Sequence, residues 1–332
     1  MFRTSEGRLF FFVYSLLTNR ALLRICYRRS PSPIAIPEAQ LTTWAGRGAV
    51  VGSTESYNSV KTALEAANSR VALRAPEIYL QGSYRNATNI YGDSDVDIVA
   101  EYQGTFHSDV SALDVTARQR QQNAYPNARY TWEQFRADVL QTLRDYYTQA
   151  RVEQADKCIK VRFGPGRIAA DVVPAVQYKK YSYFFSDGVE GKKEGIFFRN
   201  RAGDAITNFP KDHIANGEAK NAANRTNGWY KPMVRIFKNA RNRLVRDNLL
   251  AENSCPSYCV ECLIHNATDD CFGTSFQDAY SKIVNYLWTL PFGQFVSQNG
   301  IIPLFGTSPV QWNTEAARAF LDALRNLWIN WE

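Results

Sequence analysis

Residues 81–102 read QGSYRNATNIYGDSDVDIVAEY and contain the most informative pattern in the chain. The end of this segment is typical of a β-strand. Side chains two positions apart on a strand share one face, so Asp95 and Asp97 are predicted to point the same way. Val96 and Ile98 would then point into a core.

Two carboxylates on one face repel each other unless a cation compensates them, and oxygen ligands suit Mg²⁺. A third carboxylate, Asp171, lies in the apolar run IAADVVPAV, where a charged side chain is out of place without a partner. We therefore predict that Asp95, Asp97 and Asp171 hold two Mg²⁺ ions, with Mn²⁺ as an alternative.

Gly82 and Ser83 end the predicted strand 77–81, shortly before these carboxylates. Glycine permits a phosphate to approach the backbone closely, and the serine hydroxyl can hydrogen-bond its oxygens. Such a turn beside paired metal ligands is typical of nucleotidyl transfer, in which an activated hydroxyl displaces pyrophosphate. Alone, an Asp-x-Asp is usually a solvated face and a Gly-Ser is usually a loop; their combination with Asp171 favours the site.

Hydrophobic periodicity divides the chain into halves of different character. The first half mixes predicted strands at 77–81, 96–102, 158–163, 168–178, 181–185 and 195–199 with helices at 54–69 and 131–150. The second half is nearly all helical, at 229–246, 256–266, 275–290 and 314–330. We predict an α+β fold with a mixed catalytic lobe over 37–210, a helical lobe over 211–332 and a cleft between them.

The motif Gly82-Ser83, Asp95-Val96-Asp97 and Asp171 resembles the nucleotidyltransferase superfamily of DNA polymerase β. More closely, five segments resemble the bacterial cGAS/DncV-like nucleotidyltransferases, from about residue 36 to the C-terminus: IPEAQLTTWAGRGAV, QGSYRNATNIYGDSDVDIVAEY, PKDHIANGEAKN, YKPMVRIFKNARNRL and PSYCVECLIHNATDD. The resemblance implies a bilobal polymerase β-like fold and a Mg²⁺-dependent, template-independent reaction on nucleoside triphosphates. It also implies a cyclic di- or trinucleotide product that activates a separate effector in anti-phage defence.

The resemblance implies roles for individual residues as well. Asp95 and Asp97 would bind both metals. Asp171 would bind the catalytic metal and help to deprotonate the attacking ribose hydroxyl. Gln81 and Ser83 would contact the donor nucleotide, next to Gly82 of the phosphate-binding turn.

Lys238 and Ser257 lie where the family holds the triphosphate. Lys238 has the charge to neutralise phosphate, and Ser257 follows Pro256 at the start of a predicted helix. The alternative for Lys238 is a solvated helix face, because it is surrounded by Arg235, Arg241, Arg243 and Arg246.

The net charge of +7 is concentrated at the N-terminus, since residues 1–36 carry six Arg and one Glu. The remaining chain is close to neutral, so we expect no stable nucleic-acid binding. No apolar run is long enough to span a membrane, and the low cysteine content favours the cytoplasm. We interpret residues 1–36 as an extension outside the fold, most simply translated upstream sequence; a signal peptide, an amphipathic anchor and a disordered tail are the alternatives.

Two polar clusters have weaker interpretations. The stretch His213…Asn216-Gly217…Lys220-Asn221 is turn-like and is either a nucleotide contact at the cleft or a structured linker between the lobes. The cluster Cys255, Cys259, Cys262, His265 and Cys271 has zinc-type ligands, but its spacing matches no paired CxxC pattern, and two of its cysteines fall on an apolar helix face.

Two other functions share the carboxylate pattern. A polymerase of RNA tails or a tRNA-type nucleotidyltransferase should show a basic groove for RNA, which the near-neutral body does not suggest. A non-catalytic nucleotide sensor would not need paired metal ligands. The sequence leaves open the bases used, the ring size and the linkage of the product.

Overall fold

The computed structural model describes residues 35–48, 51–92, 95–165 and 167–332. Most of the predicted N-terminal extension, residues 1–34, lies outside them, and so do the alternatives raised for it. The boundary placed after residue 36 needs correction, because Ile36 is fully buried in the core of the helical region. Among the described residues, no helix combines the length and the hydropathy needed to cross a membrane.

The strands of the described residues form one seven-stranded sheet, ordered β1-β2-β5-β4-β3 with β6 beside β5 and β7 beside β6. The strands β2 and β5 are parallel, whereas the other pairs are antiparallel. The bounds are β1 Glu77–Leu80, β2 Asp95–Asp109, β3 Val152–Gln154, β4 Ile159–Val161, β5 Ala169–Phe184, β6 Glu190–Arg199 and β7 Ala205–Asn208.

One long strand replaces two predicted ones, since β5 runs through both 168–178 and 181–185. Its pairing with β6 shifts register between Tyr181 and Tyr183, and this irregularity coincides with the predicted break. The strand therefore continues through this irregularity without ending there.

The helices of the first half are α1 Glu38–Ala45, α2 Val51–Glu65, α3 Gly82–Asn86, α4 Val115–Ala124 and α5 Trp132–Tyr147. Two of them, α2 and α5, pack against the sheet and build the core predicted there. Val96 and Ile98 are fully buried against apolar side chains of α2 and α5, as predicted. A capping box formed by Thr131 and Gln134 fixes the start of α5.

The second half is helical, as predicted, with α6 Pro210–Asn221, α7 Tyr230–Arg246, α8 Ser257–His265, α9 Phe276–Thr289 and α10 Thr314–Ile329. Its core is centred on α7, and Leu41 of α1 packs into the same cluster. The prediction that residues 213–221 are turn-like is wrong, because these residues are helical in α6. Close packing explains the glycine there: a Cβ at Gly217 would lie 2.4 Å from Nε2 of Gln298.

Candidate active site

The sheet register brings the three predicted carboxylates together. Asp97 of β2 is the direct neighbour of Asp171 on β5, and Asp95 precedes Asp97 by two positions on the same strand. All three line one cavity of about 440 Å³ between the sheet and the helices α6 and α8. The other lining residues are Gln81, Gly82, Ser83, Asn86, Asn208, Pro210, His213, Ile214, Ser257, Tyr258 and Glu261.

The negative charges of these three carboxylates repel one another. Burial raises the pKa of Asp97 to about 7, and the negative charges of Asp171 and Asp95 add to the shift. Burial also raises the pKa of Asp171, with Lys160 acting in the opposite direction. A cation between the three side chains would remove this repulsion.

The donor set fits a divalent cation in its chemistry. The three groups are hard oxygen ligands of the kind that Mg²⁺ takes, and Oδ1 of Asp171 is buried without a hydrogen-bond partner. The side chains do not have the geometry of a formed metal site. In the described parts of the chain, no group of three or more His, Cys, Asp or Glu residues is arranged to hold a metal. Lys160 bridges Asp95 and Asp171 instead.

Gly82 cannot be replaced without moving a carboxylate. Its φ is +65°, in the left-handed region, and a Cβ there would lie 2.1 Å from Oδ2 of Asp97. The backbone amide of Gln81 donates to the carbonyl of Asp97 at 3.0 Å, which holds the two segments together. The Gly82-Ser83 position beside the carboxylates is as predicted, but the residues begin the short helix α3 rather than an open turn.

Ser257 reaches the same cavity from the helical half. It is the first residue of α8, after Pro256, and its hydroxyl accepts a hydrogen bond from Nη1 of Arg241 at 3.1 Å. Ser83 of α3 and Ser257 of α8 therefore both line the cavity.

Lys238 is not among the residues that line this cavity. Its side chain is fully buried on α7, and its Nζ donates to the carbonyl of Thr88 at 3.0 Å. The predicted contact with a triphosphate has no support in this geometry, and the alternative of a solvated helix face is wrong. The cause is that α7 is buried on several sides, so the basic cluster around Lys238 is not one exposed face.

Sequence analysis missed Glu261, a buried carboxylate that lines the cavity and accepts several hydrogen bonds. Its side chain accepts hydrogen bonds from Asn86 at 2.9 Å and from Thr88, and lies 3.1 Å from Nε2 of His213. The residue is only 3% exposed. A signal was present: Glu261 interrupts the apolar helix SYCVECLIH, and the argument made for Asp171 applies to it equally.

Burial alone would raise the pKa of Glu261. The hydrogen bond and charge of His213 oppose this effect, Lys238 adds to the opposition, and the net pKa lies below its usual value. Because Asn86 and Thr88 closely follow Gly82 and Ser83, Glu261 connects that segment to the helical half.

The stretch that begins at His213 divides between the two interpretations. His213 lines the cavity. Asn216 donates to the carbonyl of Gln298 at 2.8 Å, and Nζ of Lys220 lies 2.8 Å from Asp269. Of the polar residues in this stretch, only His213 lines the cavity, next to the apolar Ile214.

The cysteine cluster is a core feature. Cys255, Cys259, Cys262 and Cys271 are buried and free, and burial raises the pKa of Cys259 to about 12. No set of three or more candidate ligands that includes them is arranged for a metal within the described residues.

We expect Asp97→Asn to stabilise the metal-free protein at pH 8, by an amount of the order of 2 kcal/mol. A carboxyl whose pKa is raised by folding binds more protons when folded, so wild-type stability should fall as the pH rises from about 4 to 7. Denaturant unfolding in EDTA at pH 5 and pH 8 measures the effect. An Asn variant that is less stable than wild type at pH 8 would contradict the assigned repulsion.

Comparison with known proteins places this arrangement in a family. Residues 215–329 match the C-terminal helical domain of cGAS/DncV-like nucleotidyltransferases. The chain is 38% identical over 299 residues to the cyclic UMP-AMP synthase of Rhodothermus marinus, covering 89% of this chain and 99% of that protein. It is 34% identical over 308 residues to the cyclic nucleotide synthase CdnE01 of Staphylococcus haemolyticus, covering 90% and 100%.

A solved structure supports the same assignment. The Rhodothermus marinus CdnE c-UMP-AMP synthase, solved with Apcpp and Upnpp, superimposes with a TM-score of 0.80 at 38% identity, over 89% of this chain and 97% of that one. This likeness confirms the predicted polymerase β-like fold with its helical C-terminal region. The chain therefore belongs to the cGAS/DncV-like nucleotidyltransferases.

Proposed function

We propose that this protein joins nucleoside triphosphates, without a template, into a cyclic di- or trinucleotide and releases pyrophosphate. The observation that carries the proposal is the meeting of Asp95, Asp97 and Asp171 with Ser83 and Ser257 around one cavity. The similarity to enzymes named cyclic UMP-AMP synthase and cyclic nucleotide synthase supports it.

The three carboxylates would hold two Mg²⁺ ions, or Mn²⁺. When bound, these ions lower the pKa of an attacking hydroxyl and stabilise charge on the transferring phosphorus and the leaving pyrophosphate. Asp171, which lines the cavity beside Asp97, would bind the catalytic metal and help to deprotonate the attacking ribose hydroxyl. Gly82, which has no side chain, lets the donor triphosphate approach the backbone beside Asp97.

The hydroxyls of Ser83 and Ser257 would bind triphosphate oxygens in the cavity. Gln81 would orient the donor nucleotide from the end of β1. With substrate in place, the residues of α6 and α8 that line the cavity would limit the access of water to the reacting atoms. The enzyme would thereby favour a ribose hydroxyl over water as the nucleophile.

A cyclic product follows from the use of one carboxylate set twice. After the first bond forms, the linear intermediate would rebind with its donor and acceptor ends exchanged, and its own hydroxyl would then attack. A cavity of about 440 Å³ favours closure over growth into a long chain. The near-neutral body of the protein gives no reason to expect a polynucleotide bound along its surface.

We place the reaction in anti-phage signalling in the cytoplasm, with the product activating a separate nucleotide-responsive effector. The synthase and the effector would then communicate through the product alone.

The direct test supplies single NTPs and pairs of NTPs with Mg²⁺ or Mn²⁺ and no template. We expect a product that resists phosphatase, because a ring has no terminal phosphate, and mass spectrometry should give the mass of a closed di- or trinucleotide. A ladder of long, phosphatase-sensitive oligomers would instead place the protein among the RNA-tail or tRNA-type enzymes. Bound nucleotide without product would indicate a sensor.

A further inference from the structure

Lys160 lies in the same row of residues as the candidate metal ligands. It is the middle residue of the short strand β4 and pairs directly with Asp171 of β5. Asp171 in turn pairs with Asp97 of β2. Directly opposed side chains of neighbouring strands lie on one face, so backbone register rather than side-chain freedom brings Lys160 to the carboxylates.

The ammonium of Lys160 contacts two of the three carboxylates. Its Nζ lies 2.8 Å from Oδ2 of Asp95 and 3.6 Å from Oδ1 of Asp171. The side chains of all three residues are only 22–25% exposed, so solvent screens these charges less than on an open surface. The nearby Arg162 is more exposed and pairs with Glu153 instead.

We propose that Lys160 is the resident counter-ion of the metal-free site and competes with the divalent cation for Asp95 and Asp171. This inference rests on the proposed function, because it takes these carboxylates as the metal ligands. Lys160 is a positioning residue. It holds the side chains of Asp95 and Asp171 in place before the metal and nucleotide bind, and its contacts with them are lost when the cation binds.

One positive charge cannot balance three carboxylates, whereas divalent cations can. Binding of a cation would break the contacts of Lys160 with Asp95 and Asp171 and displace its ammonium from them. The cost of this displacement lowers the affinity for metal alone. Without nucleotide, the protein would therefore bind a metal ion more weakly than the same three carboxylates would in the absence of Lys160.

The test measures Mn²⁺ binding without nucleotide, by the electron paramagnetic resonance signal of free Mn²⁺. We expect Lys160→Met to bind Mn²⁺ about tenfold more tightly than wild type, which corresponds to about 1.4 kcal/mol. Lys160→Arg retains the charge and should stay within about twofold of wild type. Lys282→Met is the matched control, because it removes a lysine that pairs with Asp278 on α9, and it should not change the affinity.

Thermal unfolding supplies a second measurement that does not depend on turnover. Without metal, Lys160→Met should unfold at a lower temperature than wild type, and saturating Mn²⁺ should raise its midpoint by more than it raises that of wild type. If the Met variant does not fold in EDTA, Lys160→Gln takes its place in both measurements.

The outcomes separate this inference from the function on which it rests. If the Asp95→Asn/Asp97→Asn variant binds as much Mn²⁺ as wild type, or if wild type binds none, the metal site itself is wrong. If wild type binds Mn²⁺ through these carboxylates but neutral variants of Lys160 bind it equally or more weakly, the counter-ion role is wrong and the metal site stands. Tighter binding by the neutral variants, with Lys160→Arg like wild type, supports the role.

Discussion

Replacing Asp95 and Asp97 together with Asn is expected to reduce NTP turnover by about 10³-fold or more while the protein stays folded. The carboxylates supply the charge that would hold the catalytic cations, and metal ions stabilise the transition state of such reactions by several kcal/mol. Asn keeps the shape of each side chain but removes its charge. Product formation from NTPs in Mg²⁺ and in Mn²⁺ measures the loss, and circular dichroism confirms the fold.

Asp109→Asn is the matched control for this experiment. Asp109 ends the same strand but pairs with Lys180 at 2.7 Å, outside the residues that line the cavity. We expect its turnover to match wild type. Comparable turnover by the double variant and wild type would show that the site lies elsewhere.

The carboxylates could be predicted because local geometry determines their arrangement. Alternation along a strand puts Asp95 and Asp97 on one face, and a charge in an apolar run marks Asp171 as partnered. The sequence does not contain the register that aligns β2 with β5. The direct pairing of Asp97 with Asp171 therefore comes from the structure and not from the sequence.

Tertiary packing explains what sequence patterns missed. The α6 segment has several weak helix formers, and its contacts with Gln298 and the helical core outweigh their local preference. Lys238 lies in a cluster of arginines that looks exposed, yet it is fully buried. Long-range contacts of this kind leave no periodic signal.

The buried Glu261 connects these observations, because it joins the two halves of the site through bonds that span the sequence. It receives hydrogen bonds from Asn86 and Thr88, which closely follow Gly82 and Ser83, and contacts His213 of α6. Its negative charge also offsets the buried Lys238. Removal of this carboxylate should therefore affect both stability and substrate binding.

We expect Glu261→Ala to lower the free energy of unfolding by about 3–5 kcal/mol, because removing one partner of a buried charge network leaves the others uncompensated. Glu261→Gln keeps the volume and one acceptor, so its loss should be smaller. Glu315→Ala is the control, since Glu315 lies in the first turn of α10 and does not line the cavity. Denaturant unfolding at pH 7 ranks the three variants; an Ala variant as stable as wild type would remove Glu261 from the network.

The pH dependence distinguishes the charge of Glu261 from its shape. Folding lowers the pKa of this carboxyl below its usual value of 4.5, so its contribution is complete above that pH and is lost as the pH falls through the folded pKa. The stability difference between wild type and Glu261→Gln should therefore shrink on acidification below about pH 4.5. A difference that stays constant from pH 7 to pH 3 would assign the effect to packing. In that case Glu261 would still join the two halves of the site, but through its packing and neutral hydrogen bonds and not through its charge.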